Sequence, residues 1–413
     1  MITVTEALHT VLSTVEPVGV EKVNILSALG SVLAEDIYAR RTIPPTDNSA
    51  MDGYALIAED TMGATTEHPL FFDIIEDVPA GNMPRKIVGF AEATRIMTGA
   101  PTPEGVDAVV RVEDTELDGD RVKIFKEASI GQNIRSMGED VKEGELVLHR
   151  GTIIRPAETG MLAALGRSFV AVYQKPLVAI LATGDELVDI DGELSPEKII
   201  SSNSYSGAAQ VMECGGIPLQ IGIAKDTKED LTEKFKTAMR ADIIVSSAGV
   251  SVGDYDFVKD VMEEIGVTID FHQVAQRPGR PFTFGTAGRK LFFGLPGNPV
   301  SSMITFEQYV RPAILKMTGH KRIFRRTIKA VLQENITIKQ GLRYFLRVRI
   351  RYEDGRLTAV TTGEQGSGIL KSMVLANGIM VLPEDSTSIK KGDEVMVQVI
   401  DNSFELTEEP AYL

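Results

Sequence analysis

Three short segments place small residues, hydroxyls and carboxylates directly after an apolar run. Thr183-Gly184-Asp185-Glu186-Leu187 follows the run 177–182. Ser246 through Asp256 follows 241–245 and carries Ser247, Gly249, Ser251, Gly253, Asp254 and Asp256. Gly294-Leu295-Pro296-Gly297-Asn298-Pro299-Val300-Ser301-Ser302 closes a third run. In an open α/β sheet the strand-to-loop-to-helix edge is where anionic ligands bind, because helix-start N–H groups are free there. Asp185 and Glu186 have the oxygen chemistry that a hydrated Mg²⁺ prefers. Asp254 and Asp256 have the chemistry for a metal, a ribose or an exocyclic amine. Each piece also has a plain structural reading: a strand-ending turn with solvated acids, a Gly-rich connection with Asp256 capping the next helix, and an Asn298-Pro299 helix start.

A fourth segment, Arg277-Pro278-Gly279-Arg280, brings two guanidinium groups into one tight turn. Such a pair is able to grip a tetrahedral oxyanion bidentately, or simply to sit on the surface. Asn48-Ser49-Ala50-Met51-Asp52-Gly53-Tyr54 and Met97-Thr98-Gly99-Ala100-Pro101 are dense polar turns, and Asn133 to Asp140 ends in the carboxylate pair Glu139-Asp140. Lys321, Arg322, Arg325, Arg326, Arg343, Arg347, Arg349 and Arg351 form a basic stretch, read either as a solvated β face or as an attraction for an anion. The phosphate-binding GxxxxGK[ST], the dinucleotide GxGxxG and the hydrolase GxSxG patterns are all absent, so none of those chemistries is supported.

The elements that must position these residues are legible from periodicity. Val4, Leu8, Val11, Leu12 and Val15 recur at helical spacing, with Thr3 or Thr5 as the cap. Between Tyr54 and Phe125 short β-rich runs (70–75, 94–97, 108–112, 122–125) alternate with Gly and Pro and predict a small, mostly β domain. A helix is expected over 155–165, ended by Gly166. From 177 onward strands (177–182, 217–223, 241–246, 290–295) alternate with helices (203–213, 227–240, 256–265, 298–317). Continuous apolar strands between helices predict a mainly parallel sheet covered on both faces, with Asn203 and Asn298 as N-caps. The runs 344–350 and 394–399 predict a final β domain.

The 413 residues suit roughly three domains of about 150 residues each. A net charge of −15 argues against nucleic acid and against a basic membrane surface. No apolar run approaches the ~20 residues of a membrane span, and no secretory leader is recognised. The single cysteine, Cys214, forms no internal disulfide and fits the cytoplasm.

Taken in order, the motifs resemble the MoeA family, the molybdopterin molybdenumtransferases, whose fold is shared with the gephyrin E domain. The matches run from Asp47 to Ala55, Met97 to Pro101, Gly105 to Val110, Asn133 to Arg135, Gly138 to Asp140, Thr183 to Leu187, Gly249 to Gly253 and Leu295 to Ser301, then Gln365 to Gly368 and Ala376 to Gly378. The resemblance implies a multidomain α/β fold. It places an elongated α+β linking domain at 1–44 and 139–175, a small mostly-β domain at 45–138, a doubly wound α/β molybdopterin-binding domain at 176–322 and a β-barrel-like domain at 323–413.

It further implies Mg²⁺-dependent insertion of molybdate, or tungstate, into adenylylated molybdopterin with release of AMP. A homodimer is implied, as are other molybdenum-cofactor biosynthesis proteins as partners. On that model Thr183, Gly184, Asp185, Glu186, Asp226, Ser247, Gly249, Ser251, Gly253 and Asp256 hold nucleotide and pterin, with Glu186 and Asp256 on the metal. Asp52, Thr98 and Asp140 come from the other subunit. Pro296, Asn298 and Pro299, with Arg277 and Arg280, shape the oxyanion pocket, approached by Arg347 and Ser367.

The chain departs from the family pattern at Arg277 and Arg280 (usually lysines), at Ala248-Gly249 (often two glycines) and at Ser202, which precedes the Asn203-Ser204 step where an aspartate is common. These departures bear on which oxyanion is taken. Two other readings stay open: an adenylyltransferase acting one step earlier, and a non-catalytic, gephyrin-like scaffold.

Overall fold

The computed structural model describes residues 1–247, 255–353, 355–406 and 409–410, with the backbone alone for 255–259. The chain forms two compact units. The first comprises Met1–Ala34, Gly151–Pro156 and Phe169–Leu413; the second comprises Glu35–Arg150 and Ala157–Ser168.

In the first unit a six-stranded sheet runs in the order Ile217–Ala224, Leu177–Thr183, Ile243–Ser247, Lys290–Leu295, Pro281–Ala287, Thr268–Gln273. The first four strands are mutually parallel; Pro281–Ala287 is antiparallel to both of its neighbours. The expected parallel sheet is thus extended by an antiparallel pair at one edge. Strand side chains alternate between faces, so an apolar run must be covered twice. Val178, Ile180, Ile243 and Val245 pack with Ala208, Val211, Val300 and Ile304 on one face. Ala179, Leu181 and Ile244 pack with Leu231, Phe235, Ala238, Val261 and Met262 on the other. Burying each large apolar side chain contributes about 1.5–3 kcal/mol.

Helix starts follow short polar signals, with two corrections. Thr3 forms a capping box with Glu6 at the head of Val4–Thr14: the Glu6 N–H donates to Thr3 Oγ1 at 3.1 Å, and the Thr3 N–H donates to Glu6 Oε2 at 2.7 Å. The helix expected from Asn203 begins at Ser202, so Ser201 holds the cap position and Asn203 lies inside the first turn. Asn298 does hold the cap position of Pro299–Thr305, but its side chain makes no capping bond. The helix after the Gly-rich connection starts at Tyr255, which puts Asp256 inside the helix rather than at its cap.

The same unit carries a closed five-stranded barrel. Arg343–Glu353, Arg356–Thr361, Thr327–Leu332, Glu394–Val399 and Gly378–Leu382 pair in turn, and the last returns to Arg343–Glu353. Leu332, Leu346, Val348, Ile350 and Val397 lie in its core. Gln276–Arg277 adds to the barrel as a short strand parallel to Arg343 and Tyr344.

The second unit contains a separate six-stranded sheet in the order Ala108–Arg111, Gly53–Leu56, Glu92–Ile96, Leu70–Val78, Arg121–Ile124, Thr115–Asp118. Tyr54, Leu56, Phe72, Val110 and Val122 lie in its core. Among the described residues no helix is long and apolar enough to cross a membrane.

Candidate functional site

Strand order fixes where a ligand can sit. From Leu177–Thr183 the chain moves outward to Ile217–Ala224, then crosses back to Ile243–Ser247 on the other side. The order reverses between Leu177–Thr183 and Ile243–Ser247, and the crevice beyond their carboxyl ends is the usual ligand position in such sheets. Register aligns those ends: Ala182 pairs with Ser247, and Ser247 with Leu295. Thr183-Gly184 and Pro296 therefore emerge from one sheet edge, on either side of the end of Ile243–Ser247. Gly249, Ser251 and Gly253 of the Gly-rich connection, and the Asp256 side chain, lie outside the described residues.

A cavity of about 560 Å³ opens at this edge. Glu186, Ser247, Pro296, Asn298 and Pro299 line it as expected. Other parts of its wall had no assigned site role: Leu187, Ile199 and Ile200 supply an apolar side, and Ser201, Ser202 and Asn203 a polar one. Asn203 reaches across the sheet edge, its Nδ2 donating to the Gly297 carbonyl at 2.8 Å. Thr183 and Ser246 are buried, and their hydroxyls make no hydrogen bond among the described residues. Gly184 has φ +142, and a Cβ there would meet the Glu186 carboxylate at 2.5 Å. Asp185 is not in the cavity lining; its Oδ1 accepts the Asp226 N–H at 3.3 Å.

A second cavity, of about 670 Å³, lies against the barrel and is lined in part by Arg277, Pro278, Asn335, Tyr344, Arg347, Gln365 and Gly366. Arg347 is wholly buried, contrary to a solvated β face. Its Nε donates to Ser372 Oγ at 3.0 Å and its Nη2 to the Gly366 carbonyl at 3.0 Å, while its N–H donates to Gln365 Oε1 at 2.8 Å. Nη1 makes no hydrogen bond among the described residues. Burial pulls the guanidinium down to about 10. Arg277 is exposed and stands over the Tyr344 ring at 5.9 Å. The segment 277–281 joins the two cavities, because Arg277 and Pro278 line one and Pro281 the other. Arg280 is exposed and lines neither. The Ser367 carbonyl accepts the Val300 N–H at 3.0 Å, tying the barrel loop to the helix start beside Pro299.

The remaining basic residues do not make one anion-attracting face. Arg325 pairs with Glu307 and Glu213, both at 2.8 Å, and Arg343 with Glu384 at 3.0 Å.

In the second unit, sheet register joins two expected residues. Gly53 pairs with Ile96, so Asp52 lies opposite the turn after Ile96. The Thr98 N–H and hydroxyl both donate to Asp52 Oδ1 at 2.7 Å. Asp140 is exposed; its N–H donates to the Ile43 carbonyl at 3.2 Å, and no bond joins it to Asp52 or Thr98 among the described residues.

Three family models match the chain in sequence order. They are the MoeA N-terminal region (domain I and II) over residues 2–166, the "Probable molybdopterin binding domain" over 179–316, and the MoeA C-terminal region (domain IV) over 329–400. The molybdopterin molybdenumtransferase of Bacillus subtilis is 36% identical over 385 residues, which is 92% of this chain and 90% of that protein. Molybdopterin molybdenumtransferase 2 of Mycobacterium tuberculosis is 37% identical over 381 residues, 91% of this chain and 94% of its own. The crystal structure of the molybdopterin biosynthesis MoeA protein from Pyrococcus horikoshii superposes with a TM-score of 0.83 at 34% identity, covering 97% of this chain and 99% of that one.

Proposed function

We propose, from the premise that this chain belongs to the MoeA family, that it is a molybdenumtransferase that inserts molybdate into adenylylated molybdopterin and releases AMP. A transferase role in molybdenum cofactor biosynthesis accords with the names of its relatives. The four-part domain division and the homodimer belong to the same proposal.

One observation carries the oxyanion part. Arg347 is a buried cation with no carboxylate partner and one nitrogen without a bond among the described residues, on the wall of a cavity that also presents Arg277. An uncompensated buried charge costs several kcal/mol, on the order of 3–5 when a pair is broken. A tetrahedral oxyanion in that cavity would supply the missing charge, bonded by the exposed Arg277. The cavity at the sheet edge is the place for pterin and nucleotide, with Glu186, Ser247 and Asn298 as polar contacts.

Among the described residues no three His, Cys, Asp or Glu side chains gather as a metal cage. Mg²⁺ commonly needs no cage, because one or two carboxylates and substrate phosphates hold it. Glu186, on the wall of the sheet-edge cavity, is a carboxylate of that kind, and the family resemblance supplies Asp256 as the second. Bound there, Mg²⁺ would neutralise charge on the phosphoanhydride. Asp52, Thr98 and Asp140 would complete the site from a second copy.

The test is to incubate the protein with adenylylated molybdopterin, Mg²⁺ and molybdate, recover the pterin and measure its molybdenum content. Metal-loaded pterin from the parent, with severe loss in Asp52→Ala and Glu186→Ala, supports the proposal. Unloaded pterin from a folded parent contradicts it.

A further inference from the structure

The turn that carries Arg277 and Arg280 rests on a wholly buried polar cluster. Gln276 Nε2 donates to the carbonyls of Pro278 at 3.3 Å and Gly279 at 3.2 Å, and lies 3.4 Å from Thr305 Oγ1. Tyr309 completes the set, its hydroxyl donating to Gln276 Oε1 at 2.6 Å. Gln276, Thr305 and Tyr309 are each 0% exposed. Gly279 has φ +91, and a Cβ there would lie 2.4 Å from Thr305 Oγ1 and 2.8 Å from Gln276 Nε2. The turn therefore sits directly on the cluster and tolerates no side chain between them.

Tyr309 lies in Phe306–Val310, a single π-helical turn between Pro299–Thr305 and Arg311–Met317. Insertions of this kind re-aim side chains and recur at functional sites. The helix it interrupts begins with the residues lining the sheet-edge cavity. The cluster thus ties the arginine turn to the rim of that cavity. An apolar core needs no such network, since buried polar groups cost free energy unless every one is paired.

We infer that Gln276 and Tyr309 are positioning residues, which fix the 277–280 turn so that the Arg277 guanidinium meets the oxyanion in one geometry. The inference rests on the oxyanion reading of that turn.

The experiment compares the parent with Tyr309→Phe, Gln276→Leu, Arg277→Ala and the double variant Tyr309→Phe/Arg277→Ala. It follows molybdate-dependent AMP release for KM and kcat, with thermal unfolding as the check on folding. Tyr309→Phe removes one oxygen and keeps the ring. It is expected to raise the KM for molybdate about three- to tenfold, as loss of one buried hydrogen bond allows, with kcat changed less than about twofold. The double variant is expected to have the KM of Arg277→Ala alone, because both act through one turn. Gln276→Leu, if folded, is expected to follow Tyr309→Phe. A folded Tyr309→Phe whose KM equals the parent's overturns the positioning role when Arg277→Ala does raise KM. Fully multiplicative effects in the double variant also overturn it. An unchanged KM in Arg277→Ala overturns the oxyanion reading itself.

Discussion

Thr98 donates its backbone N–H and its hydroxyl to the same oxygen of Asp52, each across 2.7 Å. These two bonds, the backbone one first, hold the Asp52 carboxyl below its usual value of 3.8. The sign follows from linkage. A carboxyl depressed in the folded state contributes stability that is present above its unfolded value and is lost as pH falls through the lower folded one. Asp52 therefore stays ionised into acid where free aspartate protonates. Thr98→Val removes the hydroxyl and keeps the N–H. Its expected effect is a partial rise of the Asp52 pKa toward 3.8, read from the carboxyl carbon shift in an NMR titration. An unmoved midpoint would contradict the assigned bond.

Arg347 separates stability from function. Its guanidinium is buried without a carboxylate, so an apolar residue of similar length should be tolerated. Arg347→Met is expected to change unfolding free energy by less than about 1 kcal/mol, the Gly366 carbonyl and Ser372 hydroxyl offsetting part of the gain. Molybdate dependence should nevertheless disappear. Denaturant unfolding and the oxyanion-dependent reaction check the two halves separately. A variant that keeps its affinity for molybdate would remove Arg347 from the site.

Gly53 follows Asp52 because nothing larger fits. A Cβ at this position would lie 2.0 Å from the Val110 carbonyl oxygen of the paired strand. Gly53→Ala is expected to destabilise the protein by about 3 kcal/mol or more, by forcing those strands apart. Hydrogen exchange should then rise first in Gly53–Leu56 and Ala108–Arg111. Unchanged exchange in both strands would contradict the packing.

The sheet that places the site was legible because its strands are apolar at successive positions. Leu177 to Thr183 needs covering on both faces, and that pattern is a local property. Cap identity was less legible: Ser201, Ser202 and Asn203 are all competent N-caps, and the choice between them fell to the fold. Arg347 shows a different limit. It shares strand parity with Arg349 and Arg351, which are exposed. Parity assigns all three to one face, but only Arg347 is bonded by Gln365, Gly366 and Ser372. Cover by a distant loop leaves no trace in a period-two pattern. The same holds for Gln276 and Tyr309, which are 33 residues apart in sequence.

The most direct measurement is AMP release from adenylylated molybdopterin with Mg²⁺, run with molybdate, with tungstate and with neither. The expected result is release that requires an oxyanion, needs no ATP and falls sharply in Glu186→Ala. Release independent of any oxyanion, a requirement for ATP, or no release from a folded protein would contradict molybdate insertion.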